Sequence, residues 1–353
     1  MKLPPALLRH TFAPTLRILR GVLEHAEPEQ LRAWAARTDE ALGMDLSGLR
    51  QRELALPHCR ARWFEIEAAR AERVLLYLHG GAFITETPGL HGGLLAWLCQ
   101  ATQCQGLMPS YRLAPEHRFP AAPDDCLDAY RWLLAQGYQG RNIVLAGDSA
   151  GGNLALGLLP RLRDAGLSLP LCVIALSPLT DCTLSGGSIT RNNGLDPMFN
   201  TQAMHRLAPV YLPDEAARRD PLASPLLAEL QGLPPLLLQV GSSELLLDDS
   251  LRFAVKYPGA QLQVWHDMPH VFPLYHFLPE ALQARQQMAD FVNAQFASAG
   301  RDAARESTPG TAPEPAPLPP PPAQRPAPLP GWAGLLLAAA AALAAISCLH
   351  WAA

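Results

Sequence analysis

One stretch constrains this chain more than any other: Asn142-Ile-Val-Leu-Ala-Gly-Asp-Ser-Ala-Gly-Gly-Asn153. An apolar run, Ile143 to Ala146, ends in a turn of small residues. An Ala/Leu-rich segment of helical character then extends from Asn153 to Leu162. Within the turn, Gly147-Asp148-Ser149-Ala150-Gly151 fits the pattern G-x-S-x-G. This reads as strand, tight turn and helix, with Ser149 raised at the C-terminal edge of a sheet. The glycines leave room for backbone that a side chain would block. The start of the helix aims free N–H groups at whatever binds above the serine. The pentapeptide alone recurs by chance; its place between a buried strand and a helix gives it weight.

The rest of the chain repeats this alternation. Strand character begins at Trp63-Phe-Glu-Ile-Glu67, with alternating exposure. Val74–Leu78 is a short, continuous apolar run, the signature of a strand buried on both faces. Further strands are expected at 106–110, 143–147, 171–176, 236–240 and 261–265, with helices at 90–102, 124–136 and 280–297. Strands alternating with helices imply an α/β fold: a mostly parallel sheet with helices on both faces. Residues 1–50 read as a helical pair, with Leu16, Leu19, Val22 and Leu23 on one apolar face and a second helix after Pro28. That pair is expected to form a cap or lid. Residues 181–222 break the rhythm, being rich in Gly, Asn, Pro and Arg, with a short helical piece near 201–210. They read as an insertion above the C-terminal edge of the sheet, the second half of the cap. The catalytic unit is expected to span 51–300.

A serine hydroxyl needs an adjacent base, a group that orients that base, and donors for a developing oxyanion. In a sheet of this type the order is serine, acid, histidine. The base candidate is His270, in the loop between the last strand and the closing helix. His266 and His276 compete, at the strand end and near the helix. For the acid, Val240-Gly-Ser-Ser-Glu-Leu-Leu-Leu-Asp-Asp-Ser250 offers Glu244 first in its loop. Glu244 is favoured and Asp248 is the alternative; Asp248 and Asp249 also suit the first turn of a helix. For the oxyanion, His79-Gly-Gly-Ala-Phe83 follows a strand and offers the N–H groups of Gly80, Gly81 and Ala82, joined by Ala150 after the serine.

These motifs together resemble the hormone-sensitive-lipase-like esterases of the α/β-hydrolase superfamily, called family IV among bacterial enzymes. The matching stretches are His79–Phe83, Tyr111-Arg-Leu-Ala-Pro-Glu-His117 with Phe119-Pro-Ala-Ala122 and Asp124-Asp125, Gly147–Gly152, Asp220–Pro225, Leu233–Leu236 and His270. The resemblance covers about residues 50–297. It implies hydrolysis of short- to medium-chain acyl esters through an acyl-enzyme, without metal or cofactor. It implies Ser149 as nucleophile, His270 as base, and oxyanion donors from Gly81, Ala82 and Ala150. His79 and the 111–125 stretch are implied to be structural supports. The same resemblance leaves room for a deacetylase of amides or sugar esters, and for a catalytically silent ligand-binding relative. Two departures stand out. Ala82 occupies a position where the family more often has glycine, and Glu244-Leu-Leu stands where an Asp-Pro-Leu is common.

Composition limits the partners. A net charge of −4 gives no footprint for nucleic acid. Seven cysteines stand without C-x-x-C pairs, so a zinc site is not expected, and free thiols of a reducing compartment are. No signal peptide is evident. Residues 301–330, dominated by Pro and Ala from 304 on, read as a linker unable to bury a core. Residues 331–349 carry no charge. At ~1.5 Å per residue they span ~29 Å, close to the hydrocarbon thickness of a bilayer. A C-terminal membrane anchor (331–353) on a cytoplasmic enzyme is therefore expected.

Overall fold

A computed structural model describes residues 16–17, 20–42, 46 and 48–306. The expected linker from 307 and the expected membrane segment 331–349 lie outside the described residues, as do residues 1–15 of the N-terminal cap.

Eight strands form one sheet: β1 Arg50–Ala55, β2 Arg60–Glu65, β3 Val74–Leu78, β4 Gln105–Ser110, β5 Ile143–Asp148, β6 Cys172–Leu176, β7 Leu236–Gly241 and β8 Ala260–Trp265. Their spatial order is β1-β2-β4-β3-β5-β6-β7-β8. β1, β2 and β4 pair antiparallel, and every pair from β4 through β3 to β8 is parallel. The central strands are mostly apolar because helices cover both faces; Asp148 of β5 and Gln239 of β7 are the polar side chains among them. Every residue of β3, β5, β6 and β7 is buried.

The principal helices are α1 Pro28–Leu42, α2 Pro88–Thr102, α3 Ala121–Ala135, α4 Ala150–Asp164, α5 Ser188–Arg191, α6 Thr201–Tyr211, α7 Glu215–Arg219, α8 Leu247–Lys256 and α9 Pro279–Glu306. One core layer gathers Leu127 and Tyr130 of α3, Leu154 and Leu158 of α4 and Phe253 of α8 against the sheet. The other gathers Leu94 and Leu98 of α2 with Met288, Phe291 and Val292 of α9. Parallel strands connected through helices bring all their C-terminal ends to one edge, where the loops can meet.

Four differences from the sequence reading have local causes. β1 lies at the sheet's edge, pairs with β2 alone, and has no fully buried residue. Its sequence, Arg-Gln-Arg-Glu-Leu-Ala, therefore carries no apolar alternation. β2 starts three residues earlier than expected and stops at Glu65, because its register is set by pairing Arg60–Phe64 with β4. α9 runs to Glu306, into the stretch expected as linker. Arg301-Asp-Ala-Ala-Arg-Glu306 consists mostly of strong helix formers, and no proline occurs before Pro309. In the insertion, α5 and α7 are helices of four and five residues, too short to show a period.

Candidate active site

β5 ends at Asp148, and α4 begins at Ala150. Ser149, between them, has φ 52° and ψ −117°, a conformation that non-glycine residues rarely adopt. The neighbouring glycines make the sharp turn possible. A Cβ on Gly151 would lie 1.9 Å from the carbonyl oxygen of Leu78, and one on Gly147 would lie 2.3 Å from that of Gly151. The close approach of α4 to β3 at Gly151, and of β5 to the first turn of α4 at Gly147, thus requires glycine at these positions.

Ser149 Oγ stands 2.9 Å from Nε2 of His270. His270 comes from the loop after β8, and its Nδ1 is 2.8 Å from Oε2 of Glu244, in the loop after β7. The other oxygen of Glu244, Oε1, accepts from Ser177 Oγ at 2.7 Å and from the backbone N–H of Gly241 at 2.5 Å. Both Glu244 and His270 are buried. Burial opposes the imidazolium, but the hydrogen bond to Glu244 and its charge, followed by the charges of Asp196 and Asp148, hold the pKa of His270 above its ordinary value.

Sequence reasoning missed Ser177. It follows β6 directly, at φ 45°, accepts from the N–H of Val271 at 3.1 Å, and so ties the acid to the residue after the base. Its signal was positional: a polar residue at the C-terminal end of a buried strand, on the edge where Ser149 and Glu244 stand. Arg285 of α9 is also buried and donates to the carbonyls of Pro273 and Leu274, fixing the turn that follows His270.

Asp248, the alternative acid, is placed elsewhere. Its carboxylate accepts from Arg191 at 2.7 Å and from the N–H of Ser188 at 2.9 Å, so it anchors α5. Being in the first turn of α8, it faces α5 and not the loop of His270. Asp249 accepts from the N–H groups of Thr180 and Asp181. His266 is exposed beside Asp267, and His276 packs edge-on to Phe277.

The loop after β3 is built on Asp148. This buried carboxylate accepts from Tyr77 Oη at 2.8 Å and from the N–H of Gly80 at 3.0 Å, and lies 3.3 Å from Nε2 of His91. Burial disfavours its charge, but His91, Tyr77 and Gly80 outweigh that and hold its pKa below the usual value. Gly80 is a correction to the sequence reading. Its N–H faces Asp148 and is not left for a substrate oxygen, because the loop is pinned to the strand that carries the serine. A Cβ on Gly80 would sit 2.2 Å from Asp148 Oδ2, which explains the glycine.

Gly81, Ala82 and Phe83 then follow at positive φ. No described residue accepts from the N–H groups of Gly81, Ala82 or Ala150. Beneath the loop, His79 stacks on Tyr111 with ring centroids 4.2 Å apart, and Tyr111 Oη donates to the carbonyl of His79. Burial lowers the pKa of His79 to about 4, so its ring is neutral. Arg112 and Asp125 form a forked ion pair that holds the 111–125 stretch to α3.

Two cavities meet at Ser149 and His270. One lies under α6 and is apolar, with Phe83, Leu179, Met204, Leu207 and Leu246 in its wall. The other opens toward α1, with Leu31, Trp34, Ile84, Met198 and Tyr275 in its wall. α1 is fastened to the loop after β3 and to the start of α2. Arg32 donates to the carbonyls of Ile84 and Ala114 and pairs with Glu116, while Asp39 accepts from the N–H groups of Gly89 and Leu90 at the start of α2. Among the described residues, no cluster of three or more His, Cys, Asp or Glu could hold a metal ion. The six described cysteines are free thiols.

Comparison with known proteins agrees with this architecture. A family profile described as "alpha/beta hydrolase fold" matches residues 75–274. An acetyl-hydrolase of Streptomyces hygroscopicus is 38% identical over 292 residues, covering 79% of this chain and 96% of that protein. An esterase of Acinetobacter venetianus is 40% identical, covering 64% of this chain and 77% of its own. A solved esterase of the bacterial hormone-sensitive lipase family superposes with a TM-score of 0.74 at 37% identity, covering 80% of this chain and 98% of that one. The chain belongs to the α/β-hydrolase-fold family, among the hormone-sensitive-lipase-like esterases that its motifs resemble.

Proposed function

We propose that this chain is a serine carboxylesterase that hydrolyses short- to medium-chain acyl esters through an acyl-enzyme. The observation that carries the reading is the continuous hydrogen-bonded chain Ser149–His270–Glu244, with links of 2.9 and 2.8 Å, at the junction of two cavities. Ser149 Oγ attacks the ester carbonyl carbon as its proton passes to Nε2 of His270. Glu244 holds the Nδ1–H and offsets the positive charge on the ring. The carbonyl oxygen takes the electron pair and accepts from the N–H groups of Gly81, Ala82 and Ala150. The imidazolium returns its proton to the leaving alcohol, and the acyl group stays on Ser149. Water then repeats the sequence, with His270 as base, and releases the carboxylic acid.

The apolar lining of the cavity under α6 favours an unsubstituted hydrocarbon chain there. The relative named acetyl-hydrolase favours a second reading, a deacetylase of amides or sugar esters, which uses the same residues. A panel of p-nitrophenyl esters, acetylated sugars and anilides separates the two. A catalytically silent relative is disfavoured by the joined serine, imidazole and carboxylate. Ser149→Ala should remove turnover while circular dichroism stays unchanged; retained turnover contradicts the proposal.

We also propose residues 331–349 as a membrane anchor that leaves the catalytic unit on the cytoplasmic side, since this run has no charged residue. Its leucines and isoleucine each contribute about −0.3 to −0.6 kcal/mol to insertion. Fractionating cells that carry the full chain or a chain ending near 303 tests this. Equal solubility of the two contradicts the anchor.

A further inference from the structure

The insertion between β6 and β7 contains a group that the reaction outlined above does not use. Asp196 is buried, in Gly194-Leu-Asp-Pro-Met-Phe199. Its Oδ1 accepts from the N–H groups of Met198 at 2.8 Å and Phe199 at 3.0 Å. Those two bonds make a local turn and would by themselves be only that. Its Oδ2 accepts from the N–H of Leu245 at 2.9 Å, across 49 residues of chain. Leu245 is the residue after Glu244. Phe199, at the other end of the turn, stands edge-on to the ring of His270, with centroids 5.0 Å apart at 85°.

The neighbouring residues reinforce the same join. Asn192 donates to the carbonyl of Glu244 at 2.7 Å and to that of Ser242 at 3.0 Å. Ser188 donates to the carbonyl of Leu245 and accepts from the N–H of Asp248. All three side chains, of Ser188, Asn192 and Asp196, are buried. A segment read from sequence as part of a cap is therefore fastened to the loop of the acid.

We propose that Asp196 is a positioning residue for ester cleavage: its carboxylate ties the loop that carries Glu244 to the turn that carries Phe199, and so holds His270 from two sides. The inference rests on the esterase reading above. Side-chain chemistry explains why an acid stands here. A carboxylate offers two acceptor oxygens and no donor, which matches three backbone N–H groups arriving from two directions. An asparagine would have to turn its NH₂ toward one of them. Burial raises the pKa of Asp196 above its ordinary value, and the three charge-assisted bonds, with the charge of His270, work against that rise and favour the carboxylate.

The charge has a second effect. The charged groups acting on His270 are Glu244 from the loop after β7, Asp196 from the insertion and Asp148 from the end of β5, and all three favour the imidazolium that forms as Ser149 attacks. Loss of the Asp196 charge should lower the pKa of His270.

The test compares Asp196→Asn with wild type on p-nitrophenyl acetate across pH. The expected result is a kcat lower by about 10- to 100-fold, a KM within about twofold, and an acid limb of kcat/KM moved to lower pH. A kcat within twofold of wild type, a rise in KM alone, or an unmoved acid limb overturns the proposal. Should that variant fail to fold, Phe199→Leu decides, since Asp196 binds its backbone and not its ring. Its kcat on the same acetate should fall by about three- to tenfold, and an unchanged kcat overturns the proposal. If wild type itself neither turns over esters nor labels with a fluorophosphonate, the esterase reading has failed; if wild type does both and the variants match it, only this inference has.

Discussion

Glu244 Oε2 lies 2.8 Å from Nδ1 of His270, although 26 residues of chain separate them. Asp248, one helical turn beyond Glu244, is bound instead to Arg191 and the backbone of Ser188. The two acids that compete in the sequence thus have different tasks. Glu244→Gln should lower kcat by about 10²- to 10⁴-fold, because the amide no longer fixes the tautomer of His270. Asp248→Asn should keep kcat within about threefold and lower the melting temperature by a few degrees. Steady-state kinetics on a p-nitrophenyl ester and a thermal melt of each variant check both outcomes.

The pH dependence follows from His270. Burial works against its charged form, yet Glu244, Asp196 and Asp148 raise its pKa above the ordinary 6.5. The base must be neutral to accept the proton of Ser149. Activity should therefore rise with pH, and the acid limb of kcat/KM should have its midpoint above 6.5. In Glu244→Gln the midpoint should move down. A wild-type midpoint below 6.5 contradicts this electrostatic account.

Gly151 stands where α4 meets β3, with the site of a Cβ only 1.9 Å from the Leu78 carbonyl oxygen. That oxygen belongs to a central strand and cannot retreat. Gly151→Ala should destabilise the fold by about 3 kcal/mol or more, or prevent soluble expression. Gly166→Ala makes a contrasting case: it has open space but φ +66°, so only strain is added, and about 1 kcal/mol is expected. Urea unfolding of the two variants compares the clash with the strain.

Asp249 is fully buried, its Oδ2 accepts from Thr180 and Asp181, and its Oδ1 has no partner among the described residues. Burial raises its pKa to about 7. The folded protein therefore holds this proton more tightly than the unfolded chain does, where the value is near 3.8. Between those values, stability contributed by this group falls as pH rises. Asp249→Asn should remove that slope. Denaturant melts of both proteins at pH 4.5, 6 and 7.5 check it, and parallel curves contradict it.

Much of this architecture is legible in the sequence because burial writes itself into composition. Val74–Leu78 and Ile143–Ala146 are covered on both faces and therefore read as unbroken apolar runs. The meeting of Ser149 and His270, 2.9 Å apart, is legible from their places at strand ends. β1 is not legible, since an exposed edge strand needs no apolar side chain. Gly80 reads as an oxyanion donor because glycine after a strand is all a sequence can display. Its actual partner, Asp148, belongs to a strand that pairs with its own only through the fold. Ser177 and Asp196 stayed hidden for the same reason. Each acts through residues far away in the chain, Ser177 on Glu244 and Asp196 on Leu245, and no local pattern encodes such a join.

The central claim is that Ser149, activated by His270, takes the acyl group. The direct measurement is intact-mass and peptide mass spectrometry after treatment with a fluorophosphonate. The account predicts one phosphonyl group per chain, on the peptide containing Ser149, and none in Ser149→Ala or His270→Ala. Labelling that persists in Ser149→Ala, or a wild-type chain that stays unlabelled while folded, would contradict it.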